Sequence, residues 1–532
     1  MHKTAVGYAI GKLMQVMGML LLIPLSLAMY DNDTFSLNGM LDHPEIFGFI
    51  FAILFSLITG TLFVYFFKDG KHLQGVKEGY AIVTFGWLGL TFVGAIPMLF
   101  WFVSQDPYGW SNMFLHFTNG FFEIMSGFTT TGSTILTDIE SAPRSILFLR
   151  SLTHWLGGMG IITLAIVVFP AMGVSGYQMF RGEVPGPTKE RLQPRLAQTA
   201  SILWGVYLLF TVAETMLLMV GGMDLFDAVN HTFATMATGG FSTENASIAA
   251  YHSDFIEWVI IIFMYFAGMN FLLHFKALRG DLNSMVKNKE FIFYTGTILV
   301  AIIIITGVLY FNGLGQLSDT AVHYRNGQPN LEAFTEHYQE QASQYSSLYN
   351  TFRIASFQTL SIVTTTGFAT VDFDLWPDFL RFIMVALMFF GGCAGSTGGG
   401  IKMIRIMLVG KFGLNELKKL TQPRLVSLVK IDKQAVDEKT VMNVVAFFIL
   451  FVTLFLVVSG LMTMFVPDLT TAVSSAIATL GNIGPGLSGV GSIENFGWIP
   501  IPGKWILIFS MLLGRLEIFT VLIIFRPYVW RK

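Results

Sequence analysis

The 532-residue sequence is 53% hydrophobic and only 12% charged, with a formal net charge of −2. An ordinary soluble domain carries about twice that charged fraction, so the composition excludes a water-soluble globular protein, and the near-neutral balance gives no sign of a nucleic-acid partner. A lone cysteine, Cys393, excludes an internal disulfide and a cysteine-based metal cluster.

Apolar runs of the length that crosses a bilayer as helix fall near 7–30, 46–67, 79–103, 146–171, 199–221, 255–275, 290–312, 378–392, 441–466 and 503–526. The chain therefore reads as an all-α, polytopic membrane protein; a β-barrel would show short alternating segments instead. Lys3 and Lys12 accompany the first run, no small-residue cleavage site follows, and the run is long. It reads as a retained helix and not as a signal peptide.

The connecting segments alternate in basic content. Lys68, Lys71 and Lys77 share one; Arg181, Lys189, Arg191 and Arg195 a second; Arg279, Lys287 and Lys289 a third. The richest runs from Lys402 to Lys439, and Arg526, Arg531 and Lys532 close the chain. The positive-inside rule places all of these, and both termini, in the cytoplasm. The polar stretch 312–349 then lies outside and reads as a surface insertion.

Between the long runs sit shorter apolar stretches near 112–129, 225–237, 350–364 and 470–480. Most are too short to span and are expected to re-enter the membrane from outside, their negative C-terminal dipoles pointing to its centre. Each runs into a polar, glycine-centred segment: Thr129-Thr130-Thr131-Gly132-Ser133, Ala237-Thr238-Gly239-Gly240-Phe241, Thr365-Thr366-Gly367-Phe368-Ala369 and Asn482-Ile483-Gly484-Pro485-Gly486. Such backbone inside a bilayer must line water or be buried in protein. Four copies, roughly 105 to 130 residues apart, imply one ring of carbonyls around a central axis, the geometry of a cation filter. The expected ring is Thr130, Thr131 and Gly132; Ala237, Thr238 and Gly239; Thr365, Thr366 and Gly367; and Asn482, Ile483 and Gly484.

The expected organisation is two N-terminal helices (1–75) and four membrane–pore–membrane repeats around one pseudo-fourfold pore: 76–180, 181–285, 286–415 with the outer insertion, and 416–532. A second glycine-rich stretch, Gly391-Gly392-Cys393-Ala394-Gly395-Ser396-Thr397-Gly398-Gly399-Gly400, interrupts the second helix of the third repeat. Six glycines in ten positions make a stable helix there untenable. His154, His231 and His274 lack metal-ligand spacing and read as packed histidines. Glu123 and Asp227, on pore helices, either attract cations or cap structure. Glu214, inside a span, is a functional candidate by default, with a hydrogen-bonding role as the plainer reading. No His-Glu-x-x-His, Gly-x-Ser-x-Gly or paired intramembrane aspartates occur, so no enzyme is expected.

Together these segments resemble the Trk/Ktr/HKT superfamily of potassium transporters, closest to its bacterial TrkH/TrkG branch. The resemblance covers nearly the whole chain. It rests on Ser126–Gly132, His154-Trp155-Leu156-Gly157-Gly158-Met159-Gly160, Arg195 with Thr199-Ala200 and Leu203-Trp204, Gly391–Gly400, Asn482–Gly486 and Gly514-Arg515-Leu516-Glu517. It implies a homodimer in the bacterial inner membrane with one pore per subunit. Each pore passes K+ as the transported ion. A cytosolic TrkA-like ring is the implied partner, and the nucleotide (NAD or ATP) binds that ring. It further implies that Gly391–Gly400 is an intramembrane gate loop below the filter and that Arg515 faces the pore beneath it. Glycine at the first filter position, Gly132, implies potassium (and rubidium) over sodium, with moderate selectivity. The alternative is a symporter coupled to protons or sodium, for which Glu214 and Asp227 are the available groups.

Overall fold

The computed structural model describes residues 1–32, 43–72, 76–160, 196–314, 324–325, 328–329, 341–422, 428–431 and 434–530. Helices α1 (Lys3–Leu20) and α2 (Leu22–Asp31) form one long N-terminal rod that packs on α3 (Pro44–Phe66). At the crossing of α1 and α3 a Cβ on Gly11 would lie 2.8 Å from the Gly60 carbonyl oxygen. Small residues are what allow membrane helices to approach at backbone distance, where lipid supplies no hydrophobic driving force.

Four units follow, each a long helix, a short helix, an irregular segment and a second helix. The first holds α4 (Val76–Gln105), α5 (Met113–Phe128) and α6 (Arg144–Gly158). The second holds α7 (Leu196–Val220), α8 (Leu225–Met236), α9 (Asp254–Ala267) and α10 (Phe271–Leu278). The third holds α11 (Lys289–Asn312), α12 (Leu348–Val363), α13 (Asp378–Leu387) and α14 (Met403–Thr421). The fourth holds α15 (Glu438–Met462), α16 (Leu469–Leu480), α17 (Ile501–Arg515) and α18 (Phe519–Leu522). The four short helices α5, α8, α12 and α16 converge on one axis. The fold is an all-α membrane protein with two extra N-terminal helices and four such units around a pseudo-fourfold centre.

The side chains that start these helices are local. Asp224 accepts from the Asp227 N–H at 2.7 Å to cap α8, and Asp468 does the same for α16 from Thr471 at 2.8 Å. Asn288 caps α11 from Phe291 at 2.8 Å. An N-terminal N–H left bare in hydrocarbon would be costly, and each cap removes one.

The second helices differ from expectation. The runs 255–275 and 503–526 read as single spans but are bent by 103° between α9 and α10 and by 110° between α17 and α18. The first break follows Gly268 and is restarted by Asn270, whose side chain caps α10 at 2.8 Å. The second places Glu517 and Ile518 at φ of 57° and 49°, where a right-handed helix cannot continue. The run 378–392 is helical only to Leu387 before an irregular loop, 388–402. The fourth, 146–171, is helical to Gly158, and residues 161–195 lie outside the described ones, as does most of the outer stretch 312–349. What remains of that stretch includes an antiparallel pair, β1 (Tyr324–Arg325) and β2 (Gln328–Pro329). Gln341, at its end, holds Asp372 through bonds of 2.7 and 2.9 Å.

Candidate ion pathway

The four short helices end in the same way. Thr130, Thr238, Thr365 and Asn482 occupy the left-handed region, at φ of 50°, 55°, 61° and 53°. Each donates its N–H three residues back: to Gly127 (3.0 Å), Thr235 (2.9 Å), Ile362 (3.0 Å) and Asn482 to Thr479 (3.2 Å). The next N–H reaches five residues back: Thr131 to Ser126 (2.9 Å), Gly239 to Ala234, Thr366 to Ser361 and Ile483 to Ala478 (each 2.8 Å). These are four Schellman closures, normally completed by glycine. Three of the four residues are threonines, for which this conformation costs about 1–2 kcal/mol each, and Asn482 takes it readily; strain repeated in three repeats is the kind that clusters at functional backbone.

The closures align the repeats residue by residue, and they shift one register. Gly132, Gly367 and Gly484, at φ of 83°, 85° and 105°, each follow the left-handed residue by two. In the second repeat that place belongs to Gly240 (φ 79°), not to the expected Gly239. The equivalent triplet is Thr238-Gly239-Gly240, and Ala237 falls back to the end of the pore helix. Packing gives the same alignment. A Cβ on Gly132 would overlap the Gly239 carbonyl oxygen, on Gly240 that of Thr366, on Gly367 that of Ile483, and on Gly484 it would lie 2.8 Å from that of Thr131. Four carbonyls, from Thr131, Gly239, Thr366 and Ile483, thus form one closed layer, each shouldered by the glycine of the preceding repeat. Gly239 serves a different need: a Cβ there would meet the His154 ring at 2.5 Å.

A polar scaffold holds this layer from behind. Glu123 and Arg150 are buried and paired at 2.7 Å. Glu123 also accepts from the Thr134 hydroxyl and the Ile135 N–H, both at 2.9 Å, and Arg150 donates to the Ser242 carbonyl at 3.1 Å. One ion pair therefore ties the outgoing strand of the first repeat to that of the second. Asp227 accepts from the Thr243 hydroxyl at 2.8 Å. Both expected pore-helix acids thus serve as clamps. The His154 ring contacts the Gly127 carbonyl through Nδ1 at 2.8 Å, His231 bridges the Asp227 carbonyl and the Ser242 hydroxyl, and His274 meets the Phe266 carbonyl. Among the described residues no three His, Cys, Asp or Glu side chains gather as a metal site. Glu214 is buried on α7 against Thr235 of α8, outside the carbonyl layer.

The mouth above the layer is a hydrophilic hollow of about 130 Å³ whose lining includes Gly132, Ser133, Gly240, Gly367, Gly484, Glu244 and Glu494. Burial, with Glu140 and Asp227 nearby, pushes the Glu244 carboxyl above the usual carboxylate range. Negative charge at the entrance of such a hollow raises the local cation concentration.

Beneath the layer lies the loop 388–402. It contains all of Gly391–Gly400, and its backbone is held by the surrounding repeats. The Gly399 N–H donates to the Thr365 hydroxyl at 2.6 Å, the Cys393 N–H to the Gly268 carbonyl at 2.8 Å, and the Thr397 hydroxyl to the Met236 carbonyl at 3.0 Å. The carbonyls freed by the α9 break are among its partners. Gly391, Gly398 and Gly399 sit where a Cβ would strike the Gly399 carbonyl, the Thr364 carbonyl and the Gly481 carbonyl respectively. The loop thus stacks directly under the ends of α8, α12 and α16.

Arg515, the last residue of α17, donates to the Thr397 carbonyl at 2.8 Å and reaches Gly157 and, at 3.1 Å, Gly158 at the end of α6. It places positive charge beneath the layer and pins the loop. Glu517 pairs with Arg405 of α14 at 2.6 Å and not with Arg515. Two residues not singled out from sequence complete the arrangement. Lys402, buried, donates to the Gly398 carbonyl. Glu290, buried at the start of α11, accepts from Ala394 at 2.7 Å and from Ile404 at 3.2 Å, so one carboxylate holds both shoulders of the loop. Glu290 falls in the first turn of a helix, where acids are common, and nothing local marks its role.

The family described as "TrkH: Cation transport protein" matches residues 45–532. The chain is 41% identical over 458 residues to the Trk system potassium uptake protein TrkH of Escherichia coli (strain K12), covering 86% of each. It is 31% identical over 491 residues to TrkG of the same organism, covering 91% of each. The crystal structure of the potassium transporter TrkH from Vibrio parahaemolyticus superposes with a TM-score of 0.80 at 32% identity, over the full length of both chains. The chain, a multi-pass membrane protein, belongs to the TrkH family of cation transport proteins.

Proposed function

We propose that this protein is the pore of a potassium uptake system, passing K+ and Rb+ in preference to Na+ down the electrochemical gradient. The observation that carries the reading is the closed layer of four backbone carbonyls, one from each repeat, at the convergence of four helix C-termini. Such a layer replaces part of a cation's hydration shell, and four helix dipoles favour positive charge beside it. The filter triplets are Thr130-Thr131-Gly132, Thr238-Gly239-Gly240, Thr365-Thr366-Gly367 and Asn482-Ile483-Gly484. An inside-negative potential supplies about 2.3 kcal/mol per charge per 100 mV, enough for inward accumulation without a coupling ion.

In this reading the loop Gly391–Gly400 is the gate, docked closed, and Arg515 is both its latch and a fixed positive charge in the cavity. A homodimer in the inner membrane, with cytoplasmic termini and a cytosolic TrkA-like nucleotide-binding ring that moves the gate, completes the proposal. The test is rubidium uptake into proteoliposomes holding the full chain under clamped voltage. Uptake that follows voltage, is blocked by excess K+ more than by Na+, and needs neither a Na+ nor a pH gradient supports the pore. Uptake that demands either gradient replaces it with a coupled symporter and turns attention to Glu214.

A further inference from the structure

The face between the N-terminal rod and the first two repeats carries a groove of about 510 Å³. Its wall is apolar: Ile23 and Leu27 from α2, Phe148 from α6, and Phe226 and Val229 from α8. Arg144 and Asp224 line one end of it, and Asp31, paired with Arg144, borders that end. Asp31 ends α2, Arg144 begins α6, and Asp224 caps α8. All three stand at the outer ends of their helices, with Phe226 beside them, while Leu27, Ile23, Phe148 and Val229 lie one to two turns deeper. From Asp31 to Ile23 the wall is about 12 Å long at the helical rise per residue, close to the roughly 15 Å depth of one leaflet.

The charges are open to a ligand. Arg144 is 48% exposed, its pair with Asp31 is loose at 3.4 Å, and its guanidinium lies over the Phe226 ring, 4.3 Å from the ring centroid. Asp224 spends one oxygen on the Asp227 N–H and is exposed. One guanidinium flanked by two carboxylates matches neither a simple anion nor a simple cation. It matches a zwitterion carrying a phosphate and a primary ammonium.

We propose that this groove is a binding site for an outer-leaflet aminophospholipid. Its phosphate bonds Arg144, its ammonium bonds Asp31 and Asp224, and one acyl chain lies along Ile23, Leu27 and Phe148. A primary ammonium donates hydrogen bonds to carboxylates, and a choline headgroup cannot. The site therefore prefers ethanolamine over choline lipids, and the two carboxylates reject a phosphatidylglycerol that offers no cation.

The test is native mass spectrometry of the full-length protein released from vesicles of equal phosphatidylethanolamine, phosphatidylcholine and phosphatidylglycerol. The expected result is retained phosphatidylethanolamine at least about tenfold over either other lipid, roughly the effect of one hydrogen bond to a charged group. Arg144→Gln should lower that retention about tenfold. The double change Asp31→Asn, Asp224→Asn keeps the α8 cap and should erase the ethanolamine preference and admit phosphatidylglycerol, which the wild-type groove rejects. Headgroup-blind retention, or full preference in Arg144→Gln, overturns the proposal. So does loss of a dimer in Arg144→Gln with no change in bound lipid, which would assign the groove to a second copy of the chain.

Discussion

Replacing Glu290 by glutamine tests the gate from a residue more than a hundred positions away in sequence. The side chain keeps its size and one acceptor oxygen, but the acceptor loses its charge. Two charge-assisted bonds, at 2.7 Å from Ala394 and 3.2 Å from Ile404, become neutral ones. A bond to a charged group contributes about 1.5–3 kcal/mol and a neutral one about 0.5–1.5, so the docked loop loses roughly 2–3 kcal/mol. If the loop must leave these partners to open, the open-to-closed ratio rises roughly 30- to 150-fold. Two assays read this independently. Rubidium flux through proteoliposomes should rise without any cytosolic partner. Cys393, the only cysteine in the chain and buried in the docked loop, should react faster with a membrane-permeant maleimide. A folded variant with wild-type flux and wild-type labelling would refute the reasoning, because it would mean that Glu290 holds both shoulders equally well in the conducting state.

Gly240→Ala should abolish rubidium uptake in an expressed, membrane-inserted protein, since its Cβ would overlap the Thr366 carbonyl at a φ of 79°; retained uptake would return the filter place to Gly239. Gly132→Ser should narrow the preference for K+ over Na+, read as relative block of rubidium uptake by the two ions. Shortening Gly391–Gly400 by three residues should raise partner-independent flux, and unchanged or lower flux would count against the gate. Glu123→Gln leaves the Arg150 charge buried without its counter-ion and should cost about 3–5 kcal/mol, seen as a lower unfolding temperature in detergent, with Glu123→Met combined with Arg150→Met recovering part of the loss. External acid should slow uptake starting above the usual carboxylate range, because Glu244 is neutralised early, and Glu244→Gln should remove that part of the pH profile while the rest persists.

Much of the architecture was legible in the sequence because the bilayer simplifies the problem. A span must be apolar for a known length, and basic residues mark one side, so the long and short helices fall within a few residues of their expected ends. What was lost was lost for local reasons. Gly239 and Gly240 are adjacent, and composition cannot say which of two glycines takes the positive φ; the hydrogen bonds from Thr238 and Gly239 decide it. The break after α9 has a visible signal in Gly268 and Asn270, a helix end followed by a capping residue, which the apolarity of the whole run obscured. The break at Glu517 and Ile518 has none, since neither residue favours a left-handed conformation. Glu123 was visible as an acid on a short re-entrant helix, but its partner Arg150 lies 27 residues on, across the irregular segment of the first repeat. Glu290 and Lys402 became meaningful only once the loop 388–402 was folded beneath the carbonyl layer.

The carbonyl layer also has a handedness. The glycine of each repeat leans on the carbonyl of the next, and the fourth leans on the first, so contact runs around the axis in one sense only. A side chain added at one repeat displaces its successor's oxygen and leaves its predecessor's in place. In a homotetramer any such change strikes all four oxygens at once. Here, with four unlike repeats in one chain, a single substitution moves a single oxygen, and the repeat to alter is the one before the oxygen to be tuned. The fusion of the repeats thus lets the carbonyl layer be adjusted a quarter at a time.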